Sequence, residues 1–185
     1  MSVTALRSIY QIKITLQHTQ PPVWRRLLVP TGIKLDQLHA IVQAAMGWSN
    51  SHLHQFIYRG ETYGYPDSDC PSNCIDETKV RIEDLLAREK SSLLYEYDFG
   101  DDWMHEIVLE KILPFTKETA LPVCLDGAGA CPPEDCGGPF GYKEMLEILG
   151  DPKHQAYEDT WEWLGGDDFD PGLFDIQKAN AALRR

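Results

Sequence analysis

The run Cys131-Pro132-Pro133-Glu134-Asp135-Cys136-Gly137-Gly138-Pro139-Phe140-Gly141-Tyr142 leaves the backbone fewer choices than any other stretch of this chain. Proline removes backbone donors and glycine costs conformational entropy, so three of each in one short run exclude helix or strand interior. A stiff, specially shaped loop is expected. Its carboxylates, Glu134 and Asp135, are either held by the fold or offered to something outside it. A second run, Tyr95 to His105, reads as strand, tight turn and strand. Gly100-Asp101 suits a two-residue type II′ turn, which pairs Asp98 with Trp103 and sets Glu96 opposite His105.

Apolar alternation marks the other strands. Tyr10, Ile12, Ile14 and Leu16 share one face of segment 9–17, opposite Gln11, Lys13 and Thr15, the period of two of a half-buried strand. Pro21-Pro22 ends it, and Val23–Val29 reads as a second strand closed by Pro30. Leu35, Leu38, Ile41, Val42, Ala45 and Met46 recur at helical spacing, and Gly47 stops that helix. Residues 52–58 form another strand, which sets His52, His54, Phe56 and Tyr58 on one face. Residues 60–79 read as a loop, 80–87 as a short helix or turn, and 93–99 and 103–112 as the strands around the turn. Tyr142 opens an amphipathic helix with Met145, Leu146 and Leu149 on its apolar side and Gly150 at its end. Two short helices follow near 155–164 and 175–183, the second with Asp175 as N-cap. The expected fold is α+β, one domain over residues 1–185, with a mixed or antiparallel sheet of about five strands covered by helices and a helical C-terminal part. The first five elements come in β-grasp order, and Trp24, Trp48, Phe56 and Trp103 are expected in the core.

The 185 residues carry a formal net charge of −12. A field of that sign repels phosphate, so non-specific nucleic-acid binding through a basic face is disfavoured, while a basic protein partner, or imitation of nucleic acid, fits. Apolar runs are too short to span a bilayer. The N-terminus, Met1 to Arg7, lacks the apolar centre of a signal peptide. The expected location is therefore the cytoplasm, with no membrane contact, where the five cysteines are thiols or metal ligands.

Four motifs stand in order along the chain: Pro21-Pro22-Val23-Trp24-Arg25-Arg26-Leu27-Leu28-Val29-Pro30; Leu38-His39 with Met46-Gly47-Trp48 and His52-Leu53-His54-x-Phe56; Tyr97-Asp98-Phe99-Gly100-Asp101-x-Trp103-x-His105; and the Cys131–Tyr142 run. In these the chain resembles the plasmid pRiA4b ORF-3-like family, from about residue 8 to residue 184. The resemblance implies an α+β fold and a setting on plasmids, in transposable elements and in microbial genomes, often beside mobile-element genes. It implies no particular reaction and no catalytic residue.

Two sets of side chains are candidates for chemistry. Cys70, Cys74, Cys131 and Cys136 form two short pairs that could supply the tetrahedron zinc prefers, with Cys124 left over. The spacing Cys131-x4-Cys136 is loose for zinc, and a loop packed on the sheet is the preferred reading. His52 and His54, two apart on one strand, could join Asp98, Asp101 and His105 around zinc, manganese or iron. The whole candidate cluster is His52, His54, Tyr97, Asp98, Asp101, Trp103, His105, Glu134 and Asp135, with the loop carboxylates expected near the hairpin or the His52-x-His54 segment. Asp98-Phe99-Gly100 lacks the remaining kinase signatures, and Gly165–Pro171 lacks calcium-loop spacing. Arg25 and Arg26 point to opposite faces of their strand and form no phosphate patch, so pairing with nearby acids is expected. The leading expectation is a non-enzymatic accessory or interaction protein that meets a protein partner through an acidic, aromatic-rich surface and needs no cofactor. Its rivals are a metal-dependent, hydrolase-like enzyme and an acidic mimic of nucleic acid.

Overall fold

The computed structural model describes residues 8–65, 74–115 and 120–184. Its strands are β1 (Ser8–Leu16), β2 (Val23–Pro30), β3 (His54–Tyr58), β4 (Glu61–Gly64), β5 (Ile75–Asp76), β6 (Ser92–Tyr97), β7 (Trp103–Pro114) and β8 (Val123–Ala128). The α-helices are α1 (Leu35–Met46), α2 (Ile82–Leu85), α3 (Gly138–Leu149), α4 (Tyr157–Trp163) and α5 (Ile176–Ala182), with a 3-10 turn at Glu77–Lys79. All strands join one sheet in the order β5-β4-β3-β6-β7-β1-β2-β8. Every pairing is antiparallel except that of β4 with β5.

The alternation read in β1 is the buried pattern observed. Ile12, Ile14 and Leu16 face one side with Val23, Leu27 and Val29 of β2, Tyr95 and Tyr97 of β6, and Trp103, Ile107 and Leu109 of β7. Leu35, Leu38, Val42 and Met46 of α1 complete this core. The opposite side of the sheet carries half-buried Gln11, Lys13, Trp24, Arg26, Glu106 and Glu110.

Eight strands stand where about five were expected. The three additional ones, β4, β5 and β8, are short or bulged strands toward the sheet edges, and they lack a local alternation signal. The β-grasp order does not extend to the topology: that arrangement puts a parallel neighbour beside the first strand, and here β1 lies between two antiparallel ones. Trp24 is half-buried rather than in the core, because Arg25 takes the inward position on β2. Trp48, Phe56 and Trp103 are buried as expected.

The link between β6 and β7 spans residues 98–102 rather than two residues, so Tyr97 pairs with Trp103 and Tyr95, not Glu96, faces His105. The longer link arises because Asp98 adopts a left-handed conformation, φ 59°, and its side chain accepts the Gly100 N–H. The proline–glycine run is loop only as far as Gly137. Helix α3 starts at Gly138, and Pro139 sits in its first turn, where a missing N–H costs nothing. At the other end of the chain Asp175 caps α5 as expected, accepting from the N–H groups of Gln177 and Lys178. Among the described residues no helix is long and apolar enough to cross a membrane.

Candidate functional site

Helix α1 ends at Gly47, and the chain then turns through Trp48 to Leu53 before entering β3. His52 therefore precedes the strand instead of lying on it. Its ring leaves the sheet and meets two other segments. Asp98 Oδ2, from the β6–β7 link, lies 3.5 Å from His52 Nδ1. From the Cys131–Gly137 loop, Asp135 Oδ1 lies 3.3 Å and Glu134 Oε2 3.7 Å from His52 Nε2. One nitrogen of His52 and one oxygen each of Asp98 and Asp135 fall within 4.8 Å of one another, a spacing that can hold a metal ion.

Two of the carboxylates, Glu134 and Asp98, are tethered by hydrogen bonds from neighbouring groups. Glu134 Oε1 accepts from the Ser49 N–H at 2.9 Å, the Ser49 hydroxyl at 3.0 Å and the Tyr97 hydroxyl at 3.2 Å. That arrangement turns Oε2 toward His52. Tyr97 is fixed in turn by the Ser51 N–H at 3.0 Å, and burial, with the Glu134 charge beside it, pushes its hydroxyl pKa up to about 12. Tyr97 thus stays a hydrogen-bond donor at neutral pH. Asp98 Oδ1 accepts the Gly100 N–H, which leaves Oδ2 to the imidazole.

The loop is clamped at both ends. Its Pro132 carbonyl accepts the Trp48 indole N–H at 3.0 Å, and the Gly137 N–H donates to Asp101 Oδ2 at 3.1 Å. Gly138 lies so close to the hairpin that an added Cβ would sit 2.2 Å from the Asp101 carbonyl oxygen. Asp101 is therefore a clamp on α3 rather than a member of the cluster around His52. Trp103 is part of the aromatic floor, tilted against Trp48, and its indole N–H has no hydrogen-bond partner among the described residues.

His54 turns away from His52. Its ring stacks on His39 of α1 with centroids 3.4 Å apart, and Nε2 meets buried Glu77 at 2.9 Å. His39 bonds the Tyr95 hydroxyl and Asn50, and burial, reinforced by the His54 charge, lowers its pKa to about 4. The two histidines of His52-x-His54 thus belong to different clusters. His105 is wholly buried; its Nδ1–H donates to the Tyr95 carbonyl, Nε2 has no partner among the described residues, and burial lowers its pKa to about 4.

Among the cysteines, Cys124, Cys131 and Cys136 are thiols, whereas Cys74 is disulfide-bonded, which departs from the expectation that every cysteine is a thiol or a metal ligand. Burial raises the Cys131 thiol pKa and pushes Cys136 up to about 12, so both remain protonated. Among the described residues no third donor joins Cys131 and Cys136 at metal-binding spacing; Cys70 lies outside them.

The sequence had not singled out Ser49, Ser51, Glu77 or His39 as site residues. Ser49-Asn50-Ser51 is an ordinary turn cluster, and Glu77 lies in a segment read as loop. Only contacts across 85 positions for Ser49, 46 for Ser51 and 23 for Glu77 give these residues their roles. The Leu38-His39 motif was visible, but its position on the apolar side of a helix hid its polar partners.

A sequence model of the plasmid pRiA4b ORF-3-like protein family matches residues 8–178, and the chain belongs to that family. The protein named "Uncharacterized protein y4hQ" of Sinorhizobium fredii (strain NBRC 101917 / NGR234) is 42% identical over 180 residues, covering 95% of this chain and 91% of its own. The crystal structure of a protein of unknown function, MM3350 from Methanosarcina mazei Go1, has a TM-score of 0.83 and 38% identity over 94% of this chain and 98% of that one.

Proposed function

We propose that this member of the plasmid pRiA4b ORF-3-like family is a cytoplasmic accessory protein of mobile elements that binds a basic protein partner through the cluster of His52, Asp98, Glu134 and Asp135. One observation carries the reading: Glu134 and Asp98, from two distant segments, are each held through one oxygen and turn the other toward a single imidazole, with Asp135 beside them. A net charge of −12 extends that local field over the surface and favours basic partners. Phe99, in the link that carries Asp98, and Phe140, in the first turn of α3 just after the loop, expose their rings and offer apolar contact to a partner.

The test is fluorescence anisotropy with Lys/Arg-rich and Glu-rich peptides of matched length, in chelator. Saturable binding of basic peptides is expected, weakened at least about tenfold by the double substitution Glu134→Gln, Asp135→Asn and reduced by salt. Equal binding of acidic peptides, or indifference to the double substitution, rejects it.

A second reading, metal-dependent hydrolysis, is favoured by the ligand spacing of His52, Asp98 and Asp135. His54, Asp101 and His105 are turned to other contacts and take no part in it.

A further inference from the structure

We infer that the cavity beside the end of α1 is a binding site for a small organic acid, whose carboxylate pairs with the buried Arg25 guanidinium and whose apolar body lies against Met46, Phe169 and Leu173. The site is separate from the cluster around His52 and does not depend on the docking role proposed for it.

Arg25 has donors that the fold does not use. A guanidinium carries N–H groups on Nε, Nη1 and Nη2. Nε–H goes to the Ala45 carbonyl, and Nη1 donates to the carbonyls of Trp24 and Ala128. Nη2 has no hydrogen-bond partner among the described residues. Arg25 is only 2% exposed, yet Nη2 is not one of the sealed polar atoms, so it keeps contact with open space. Arg25 lines a cavity of about 480 Å³ between the end of α1, residues 168–175 and α5, and there Nη2 can meet an acceptor.

The charge of Arg25 is unmet as well. Among the described residues no carboxylate pairs with it, and burial keeps the neighbouring Cys124 and Cys131 thiols protonated. A buried cation without a counter-ion is costly, and an unused buried donor adds to the cost. Three carbonyls and the Phe174 ring, 4.0 Å from the guanidinium carbon, offset part of it. An anion at Nη2 offsets the rest.

The lining selects the kind of anion. The volume falls in the range of small-molecule sites, about 300–1,000 Å³, and most of the lining residues are apolar. Besides Arg25, the charged ones are Lys178, Asp168, Asp170 and Asp175, all exposed. Asp170 accepts the Gly172 N–H, and Asp175 those of Gln177 and Lys178. Water and salt screen these exposed charges far more than the buried one. The three acids still weigh against a doubly charged phosphate, which would also ask for more donors than Nη2 supplies. A monocarboxylate with an apolar body meets both conditions.

The experiment is titration of the isotope-labelled full chain with hexanoate, following the nuclear magnetic resonance signals of the Arg25 Nε–H and the Trp48 indole N–H, which also borders the cavity. Saturable shifts of both are expected, with half-saturation in the millimolar range for a ligand this small. Hexanamide, similar in shape but uncharged, should bind at least about tenfold more weakly. Leu173→Glu puts a negative charge on the cavity wall, and Arg25→Lys removes the free donor; each should weaken hexanoate binding at least about tenfold. Thermal melts check that the variants fold. Should Arg25→Lys fail, Leu173→Glu decides, because Leu173 is 64% exposed. Absence of saturable shifts with hexanoate, equal binding of hexanamide, or unchanged binding by Leu173→Glu overturns the assignment.

Discussion

Gly137, Gly138 and Asp101 are where the two most informative stretches of sequence touch. Gly138 has φ 68°, and its missing Cβ makes room for the Asp101 carbonyl; Gly137 has φ 89°, but the nearest atom to an added Cβ is 3.4 Å away. Gly137→Ala should therefore cost about 1 kcal/mol, from backbone strain alone. Gly138→Ala adds a collision with backbone and should cost at least about 3 kcal/mol, lowering the melting temperature by roughly 6–12 °C. Equal losses in the two melts would mean that α3 does not dock as described. His105 gives a second test. Its pKa falls from 6.5 to about 4 because the ring is buried, so the unfolded chain takes up a proton where the native protein does not. Acid therefore favours unfolding through that window, by as much as about 3 kcal/mol at its lower end. Denaturant midpoints measured from pH 6.5 to 4.5 should fall less steeply in His105→Phe than in the wild type. At this scale, the meeting of Glu134 and Asp135 with His52 and Asp98 was readable, because a stiff loop must be held somewhere. The divergence of His52 from His54 was not, since it depends on β3 starting two residues later than the pattern suggested.

Strand β2 shows how one residue step separates two fates. Arg25 points inward, is 2% exposed, and donates Nε–H to the Ala45 carbonyl at the end of α1 and an Nη1–H to the Trp24 and Ala128 carbonyls. It joins β2, α1 and β8 without an acid partner, contrary to the pairing expected of both arginines, and its ring partner is Phe174 at 4.0 Å. Arg26 points outward and does pair, bidentate, with Glu110. Arg25→Lys should destabilise by about 2–3 kcal/mol, because an ammonium cannot reproduce the planar fork. Arg26→Ala should cost no more than about 1 kcal/mol. Chemical denaturation of both variants checks the order; a larger loss at Arg26 contradicts it. The long elements, β1, β2, β7 and α1, were legible from period alone. Register was not: the five residues of the β6–β7 link shift its pairing by one position, and a shift of one exchanges the faces of a strand.

Across the whole molecule, 29 acidic residues oppose 17 basic ones. Self-repulsion on that scale is relieved by screening, so the melting temperature should rise between about 10 mM and about 300 mM monovalent salt. A fall would show that surface ion pairs such as Arg26–Glu110 outweigh the repulsion. Fold class followed from element order, whereas the full sheet did not, since its edge strands are recruited by neighbours rather than specified by their own residues. The clamp of Asp101 on Gly137 spans 36 positions and has a consequence for synthesis. Strands β1 to β7 and helix α1 are all made before residue 131 leaves the ribosome, and an N-terminal part can begin to fold as it emerges. Such a nascent chain carries His52 and Asp98 but neither Glu134 nor Asp135. The cluster around His52 is thus completed by the last third of the polypeptide, and a truncated or half-made product carries only the part of it that β1 to β7 supply.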